Sequence, residues 1–379
     1  MPGVEAPSVP SRLRPVRAAP GDVTGSLWQA FTGFGAMAFG PFGMSMTTAW
    51  LRQRIEREFP PVGTFLPVGG LDLHVVDLPG KDASAPTIVV LHGTASSLRD
   101  PLAALGADLE GRARVIFIDR PGHGYTADEA GAYAGLADQA DLVAQLLDRL
   151  GIERAVLLGH SFGGSVAAAF TVQHPDRAAG AVLVAPATHP WDDGFAWSRG
   201  LMDAPVVGAF LTDTLATPLA LSMLDSSVAQ VFAPEPVPPG LVDATGAPLA
   251  VRPEAMRATN REVTTLNERL AALTPLYAGI RVPVTVIAGD ADHVVPIEQH
   301  ARRFAALVPE ARLVTLKGAG HMLHHTNTVT VLDAVDDVLA KVTENARPVA
   351  PVRRRRSPAA KSPATKTGAP TEGGPPSKG

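Results

Sequence analysis

The chain has 379 residues, with 33 Lys and Arg against 37 Asp and Glu and a formal net charge of -4, a balance that offers no global attraction to nucleic acid or any other polyanion. It contains no cysteine, which excludes disulfides and thiolate catalysis and leaves the compartment open. That length accommodates one large α/β domain with an insertion and tails.

Residues 1–22 mix prolines with Arg12, Arg14 and Arg17 and lack apolar periodicity, so they read as a flexible arm. From Val23 to Leu51 no residue is charged, and a helix of that length would cross a hydrocarbon core. The glycines, Pro41, Gln29, Thr32, Ser45, Thr47 and Thr48 weaken a spanning helix and suit equally a surface-lying segment or a hairpin packed on the protein. Residues 23–58 are therefore set apart as an apolar segment and a candidate membrane anchor. A cleaved signal peptide fits less well, because the stretch starts late and has no small-residue cleavage site leading to a mature start.

The core is expected in two parts, 59–189 and 279–345. Strands are read at Leu71–Leu78, Thr87–Gly93, Arg114–Asp119, Ala155–Gly159, Gly180–Pro186, Val284–Asp290 and Arg312–Gly318 from runs or alternations of apolar, β-branched residues ended by turn residues. Helical patterns separate several of them, notably Leu136–Gly151, whose apolar residues recur at three and four and whose end is marked by glycine. Such alternation predicts an α/β fold with a mostly parallel sheet covered by helices on both faces. Residues 190–278 are proline-rich and poor in strand signals, which reads as an inserted, mainly helical cap. Residues 346–379 are dominated by Pro, Ala, Lys and Arg and are expected to be disordered; within them Arg353–Arg356 could touch anionic lipid or nucleic acid, though a solubilising role is the simpler reading.

Behind the apolar run Ala155–Leu158 stands Gly159-His160-Ser161-Phe162-Gly163. A strand turning sharply into a helix leaves no room for side chains at the two glycines and holds the serine above the sheet edge, the geometry of a nucleophile elbow. A serine needs a neighbouring base; His321, after the last expected strand, is the candidate, with His324 and His325 as competitors. That base needs an acid to fix its tautomer, a role open to Asp292 and to its rival Asp290. An oxyanion formed on attack needs backbone N–H donors, for which Phe162, directly after the serine, and Thr94, with Ala95 as fallback, are placed suitably.

Taken together, "LHGTASS" (91–97), "DRPGHGYT" (119–126), "GHSFGG" (159–164), "GDADHVVP" (289–296) and "GAGHMLHH" (318–325) resemble the landmarks of the α/β-hydrolase superfamily, in its order, across roughly Gly63–Lys341. The resemblance implies a capped, serine-nucleophile branch that includes esterases and haloperoxidases. It also favours Asp292 over Asp290, since related hydrolases carry the acid three residues beyond the strand-ending glycine, here Gly289. "DRPGHGYT" is read as a structural loop despite its Asp119, Arg120 and His123.

A serine nucleophile excludes the aspartate-dependent dehalogenase and epoxide-hydrolase chemistries of the superfamily, and leaves carboxylic-ester hydrolysis through an acyl-serine as the expected reaction. Perhydrolysis or haloperoxidation, and carbon–carbon bond hydrolysis, share the framework as alternatives. A membrane-tethered binding protein that lost turnover is a third, against which Ser161, Asp292 and His321 all stand. Trp191, Phe195, Trp197, Leu201, Met202, Phe210, Leu211, Met223 and Phe232, with Arg199 as the insertion's only basic residue before Arg252, suit a small to medium apolar ester; Trp191, Phe195 and Trp197 are the named candidates for substrate contact. No cofactor or metal is expected, because no H-E-x-x-H, phosphate loop or dinucleotide fingerprint is present. No nucleic-acid partner is expected, and membrane association would run through residues 23–51.

Overall fold

Ile88 and Val90 project to one side of their strand and Val89 and Leu91 to the other, and all four are buried, so the sheet they belong to has to be covered on both faces. In the computed structural model, which describes residues 41–80, 86–192 and 212–346, eight strands build that sheet: β1 (Thr64–Val68), β2 (Leu71–Leu78), β3 (Thr87–Leu91), β4 (Val115–Ile118), β5 (Ala155–His160), β6 (Ala178–Val184), β7 (Val284–Gly289) and β8 (Ala311–Leu316). Their order is β1-β2-β4-β3-β5-β6-β7-β8. β2 runs antiparallel to β1 and β4, and every other pair is parallel.

One face of the sheet packs on helices α3 (Leu136–Arg149) and α4 (Phe162–Gln173) through Leu142, Leu146, Val166 and Phe170. The opposite face takes Leu105 and Leu109 of α2 (Arg99–Leu109) and Val331, Val335 and Val338 of the C-terminal helix Thr328–Ala346. The chain leaves β3 towards β4 and returns to β5 on the other side, which opens a crevice at the carboxyl ends of these strands.

The seven expected strands are all present. β1 escaped the reading because it is a sheet edge, largely exposed, with Pro67 inside it; neither alternation nor an apolar run marks such a strand.

Helix α1 (Pro41–Glu58) comes out of the uncharged stretch, of which residues 23–40 lie outside the described residues, as do the arm 1–22 and Arg353–Arg356. Thr48, Leu51, Ile55 and then Phe59 are all at most 5% exposed, the three-and-four spacing of one buried face. Thr48 Oγ1 donates to the Thr214 carbonyl at 2.7 Å, and Ile55 and Phe59 cluster with Leu249. The folded contacts therefore start ahead of residue 59, on the insertion between β6 and β7. Among the described residues no single helix is long and apolar enough to cross a membrane.

The described part of that insertion is helical: a π-helical turn at Thr212–Ala216, then α5 (Thr217–Ser222), α6 (Leu224–Phe232), α7 (Leu241–Thr245), α8 (Pro253–Thr264) and α9 (Leu266–Leu273). After β7 follow α10 (Ala301–Leu307), β8, the short α11 (Leu323–Thr326) and the C-terminal helix, α12. If α1 is part of the cooperative unit, Ile55→Ala will lower the stability of the whole domain by about 2–5 kcal/mol; urea unfolding followed at several probes should show one shifted transition, not loss of a separate early one.

Candidate active site

Ser161 sits between β5 and α4 at φ 54°, ψ -118°, a region that non-glycine residues occupy at a cost of about 1–3 kcal/mol. What holds it there is close packing. A Cβ on Gly159 would lie 2.3 Å from the Gly163 carbonyl oxygen, and one on Gly163 would lie 2.3 Å from that of Leu91, so neither position admits a side chain. The Ser161 N–H donates to the Val184 carbonyl at 2.9 Å, and its own carbonyl accepts from Gly164 and Ser165 at the start of α4.

The loops after β7 and β8 meet beside this bend. Asp292 and His321, 5% and 4% exposed, share a hydrogen bond of 2.7 Å between Oδ2 and Nδ1. The other carboxylate oxygen accepts the N–H groups of Val294 and Val295, both at 2.8 Å, which fixes the carboxylate plane and thereby the ring. Asp290 does something else: its Oδ1 accepts the Gly318 N–H at 2.6 Å in an exposed position, tying the two loops together. His160, next to Ser161, donates from Nε2 to the His321 carbonyl at 3.1 Å, and the two rings lie 4.8 Å apart.

Of the His321 competitors, His324 and His325 both turn to Asp100, at 3.0 and 2.7 Å. Burial pushes the Asp100 carboxyl up, but the two imidazoles outweigh it and hold it well below the usual carboxylate range. The His324 ring also lies 4.3 Å from that of His160. Asp100, His160 and His324 bring one potential ligand atom each within 4.8 Å of one another. Both Asp100 oxygens are taken up by the His324 and His325 rings, His160 bonds instead to the His321 carbonyl, and the Nδ1 atoms of His160 and His324 are buried without a hydrogen-bond partner.

Phe162 is the first residue of α4, where a backbone N–H has no intrahelical acceptor. Thr94 stands in the loop after β3, followed by Ala95 at φ 50°. Arg120, read from the sequence as part of a structural loop, lies against both of these backbone positions. Arg120 is fully buried; it donates to the His92 carbonyl at 2.8 Å and the Gly93 carbonyl at 2.9 Å, and its guanidinium lies 4.5 Å from the Phe162 ring centre. In a planar trans peptide the C=O and the next N–H point opposite ways. Holding the Gly93 carbonyl therefore aims the Thr94 N–H away from Arg120. Glu262, on α8 and 1% exposed, pairs with the Arg120 guanidinium. This coupling was not legible beforehand, because 142 positions separate the partners and no local pattern joins them. Asp119, by contrast, is structural: it binds the His74 ring and accepts the N–H groups of Leu98 and Tyr125.

Among the proposed substrate contacts, Trp191 packs against the cluster on the sheet face covered by α3 and α4 and against His300, ring centres 4.4 Å apart. Phe195 and Trp197 lie outside the described residues.

Residues 86–328 match the family model described as the alpha/beta hydrolase fold. The chain is 38% identical over 106 residues to the dihydrolipoyllysine-residue acetyltransferase component of the acetoin cleaving system of Cupriavidus necator, a match spanning 28% of each protein. Among solved structures it resembles the enol-lactonase of Burkholderia xenovorans LB400, with 25% identity, a TM-score of 0.59, and coverage of 73% of this chain and 99% of that one. The carboxylesterase CesB of Bacillus subtilis is 19% identical, with a TM-score of 0.58 over 78% of this chain and 98% of its own, a likeness in fold.

Two outcomes follow from the buried charges. Glu262→Ala leaves the Arg120 guanidinium without its counter-ion and should cost about 3–5 kcal/mol in urea denaturation. Burial also pushes His300 down to about 3 and His160 well below its ordinary value. These rings refuse protons that the unfolded chain binds near its ordinary value of about 6.5. Their contribution is complete above about pH 6.5 and is lost as the pH falls from there towards the folded values. The urea midpoint should accordingly drop between about pH 7.5 and about pH 5.5, and a flat profile would contradict neutral burial.

Proposed function

Because this chain belongs to the α/β-hydrolase fold family, we propose that it is a serine hydrolase cleaving carboxylic esters with a small to medium apolar acyl or alkyl group. One observation carries the reading: a buried carboxylate–imidazole pair, Asp292 and His321 at 2.7 Å, with the carboxylate's second oxygen fixed by two backbone N–H groups, and His321 tied through its carbonyl to His160, the residue before a serine held at positive φ.

With Nδ1 bonded to Asp292, His321 keeps its Nε2 lone pair as the base. Ser161 Oγ attacks the ester carbonyl carbon while its proton passes to His321 Nε2. The carbonyl oxygen becomes an oxyanion that accepts from the Phe162 and Thr94 N–H groups, donors already oriented by α4 and by the Arg120 clamp, so that no solvent need reorganise. Collapse of this intermediate breaks the bond to the alkoxy oxygen, which leaves as the alcohol with the proton from His321. Water, deprotonated by the same ring, then releases the carboxylic acid and restores Ser161. The similarity to an enol-lactonase supports the choice of bond, and the aromatic and aliphatic run through the insertion supports an apolar group.

A fluorophosphonate should label Ser161 in the intact protein and fail on Ser161→Ala, and a graded series of p-nitrophenyl esters should be turned over. Asp292→Asn, by stabilising the wrong tautomer, should lower kcat by about four orders of magnitude with KM little changed. Absence of label at Ser161, or ester turnover that survives Ser161→Ala, would defeat the reading.

A further inference from the structure

Large apolar side chains on the surface of this protein are not scattered evenly. Of the ten exposed ones among the described residues, five fall on α1 and on the neighbouring segment 215–223. Leu215, Leu219 and Met223, at 43%, 60% and 52% exposure, follow one another at four-residue spacing from the π-helical turn through α5. Met46 and Trp50, at 60% and 38%, do the same on α1. Both helices have a buried side as well, through Thr214 and Thr217 on one and Thr48 and Leu51 on the other, and the Thr48–Thr214 hydrogen bond joins those inner sides. The apolar rows are thus the outward faces of two helices packed side by side.

Three further observations bear on what these faces meet. The chain entering α1 is uncharged from Val23 to Leu51, after which Arg52, Arg54 and Arg57 alternate with Glu56 and Glu58 and Arg52 pairs with Glu56 and Glu254, the order of an apolar layer followed by a polar, charged one. Arg54 lies 5.6 Å from the Trp50 ring centre, and an indole beside a cation is suited to the boundary between hydrocarbon and headgroups. The bent pair Thr214–Ser222 and Leu224–Phe232, angled by 59°, is apolar and long enough together to pass for a membrane segment, although its inner side is built into the protein.

The same pair leads to the candidate site. Phe232, at the far end of α6, is buried with its ring centre 5.7 Å from that of His325. Glu235, just beyond, accepts the N–H of Gly320 at 2.8 Å, one residue before His321. Nine residues of α6, about 14 Å of helix, separate the exposed row from the loop of the base.

We propose that the outward faces of α1 and of the turn–α5 segment form a single docking surface for a phospholipid bilayer, placing the site's edge at the membrane so that an ester dissolved in the lipid reaches it directly. The delivery of substrate rests on the ester-hydrolase reading above; the docking itself does not.

Flotation of the full-length protein with phosphatidylcholine–phosphatidylserine vesicles tests the surface, alongside a Leu215→Asp, Leu219→Asp double variant. Both side chains are exposed, so the variant should melt as the parent does. The parent should float with the vesicles, and the variant should bind at least about tenfold more weakly. In activity assays the variant should keep its turnover of a short soluble ester and lose turnover of a vesicle-dispersed one. Equal binding of parent and variant, as an anchor in residues 23–40 alone would give, overturns the proposal. So does a parent that ignores vesicles, including one that forms a dimer which the variant splits, since the face would then belong to a second copy. If no ester is hydrolysed at all, the flotation result still decides the docking.

Discussion

A methyl group added at residue 163 would sit 2.3 Å from the Leu91 carbonyl oxygen, and this approach of α4 to β3 is the constraint on which the candidate site depends. It draws the helix tightly over the sheet, so the chain between β5 and α4 has to turn within one residue, and Ser161 takes the positive φ that results. The small residues along α4, Gly163, Gly164, Ser165 and Ala167 to Ala169, are all buried because a larger side chain would lift the helix and relax the bend. The strain is modest beside the burial that imposes it: two fully covered apolar faces contribute far more than the about 1–3 kcal/mol of one unfavourable conformation.

Around that bend, the groups proposed to react are held by neighbours with no such role. Asp292 spends one oxygen on backbone N–H donors and the other on His321. Arg120 turns two carbonyls towards itself, and the peptide plane then directs the Thr94 N–H outward. Asp100 collects the two histidines that might otherwise rival His321. Each arrangement uses a buried charge to fix an orientation, which burial alone, being non-directional, cannot do.

How much of this was legible beforehand follows from the range of the interactions. Strand and helix patterns depend on neighbours a few residues apart, and seven of the eight strands, the glycine-flanked serine and the choice of Asp292 over Asp290 for His321 were all readable from local patterns and family order. β1 was not, because an exposed edge strand has no buried face to print a pattern. The Arg120–Glu262 pair was not, because its partners come from different layers and only the folded insertion brings them together. Nor was the packing of α1: the absence of charge from Val23 to Leu51 speaks equally of lipid and of protein interior, and only the burial of Thr48, Leu51 and Ile55 distinguishes its two sides.

That two-sidedness bears on how the insertion works. α1 is bound to it by the Thr48–Thr214 hydrogen bond and by Arg252, which reaches Glu56 at 3.0 Å. The insertion in turn reaches the loop after β3 through Glu262 and Arg120, and the loop of His321 through Glu235 and Gly320. A displacement of α1 relative to the sheet would therefore be felt at two of the places where the proposed chemistry needs fixed donors. Both links consist of buried or half-buried hydrogen bonds that lose most of their strength within an ångström or so of stretch, so the segment before the core belongs with the parts that set the site's geometry.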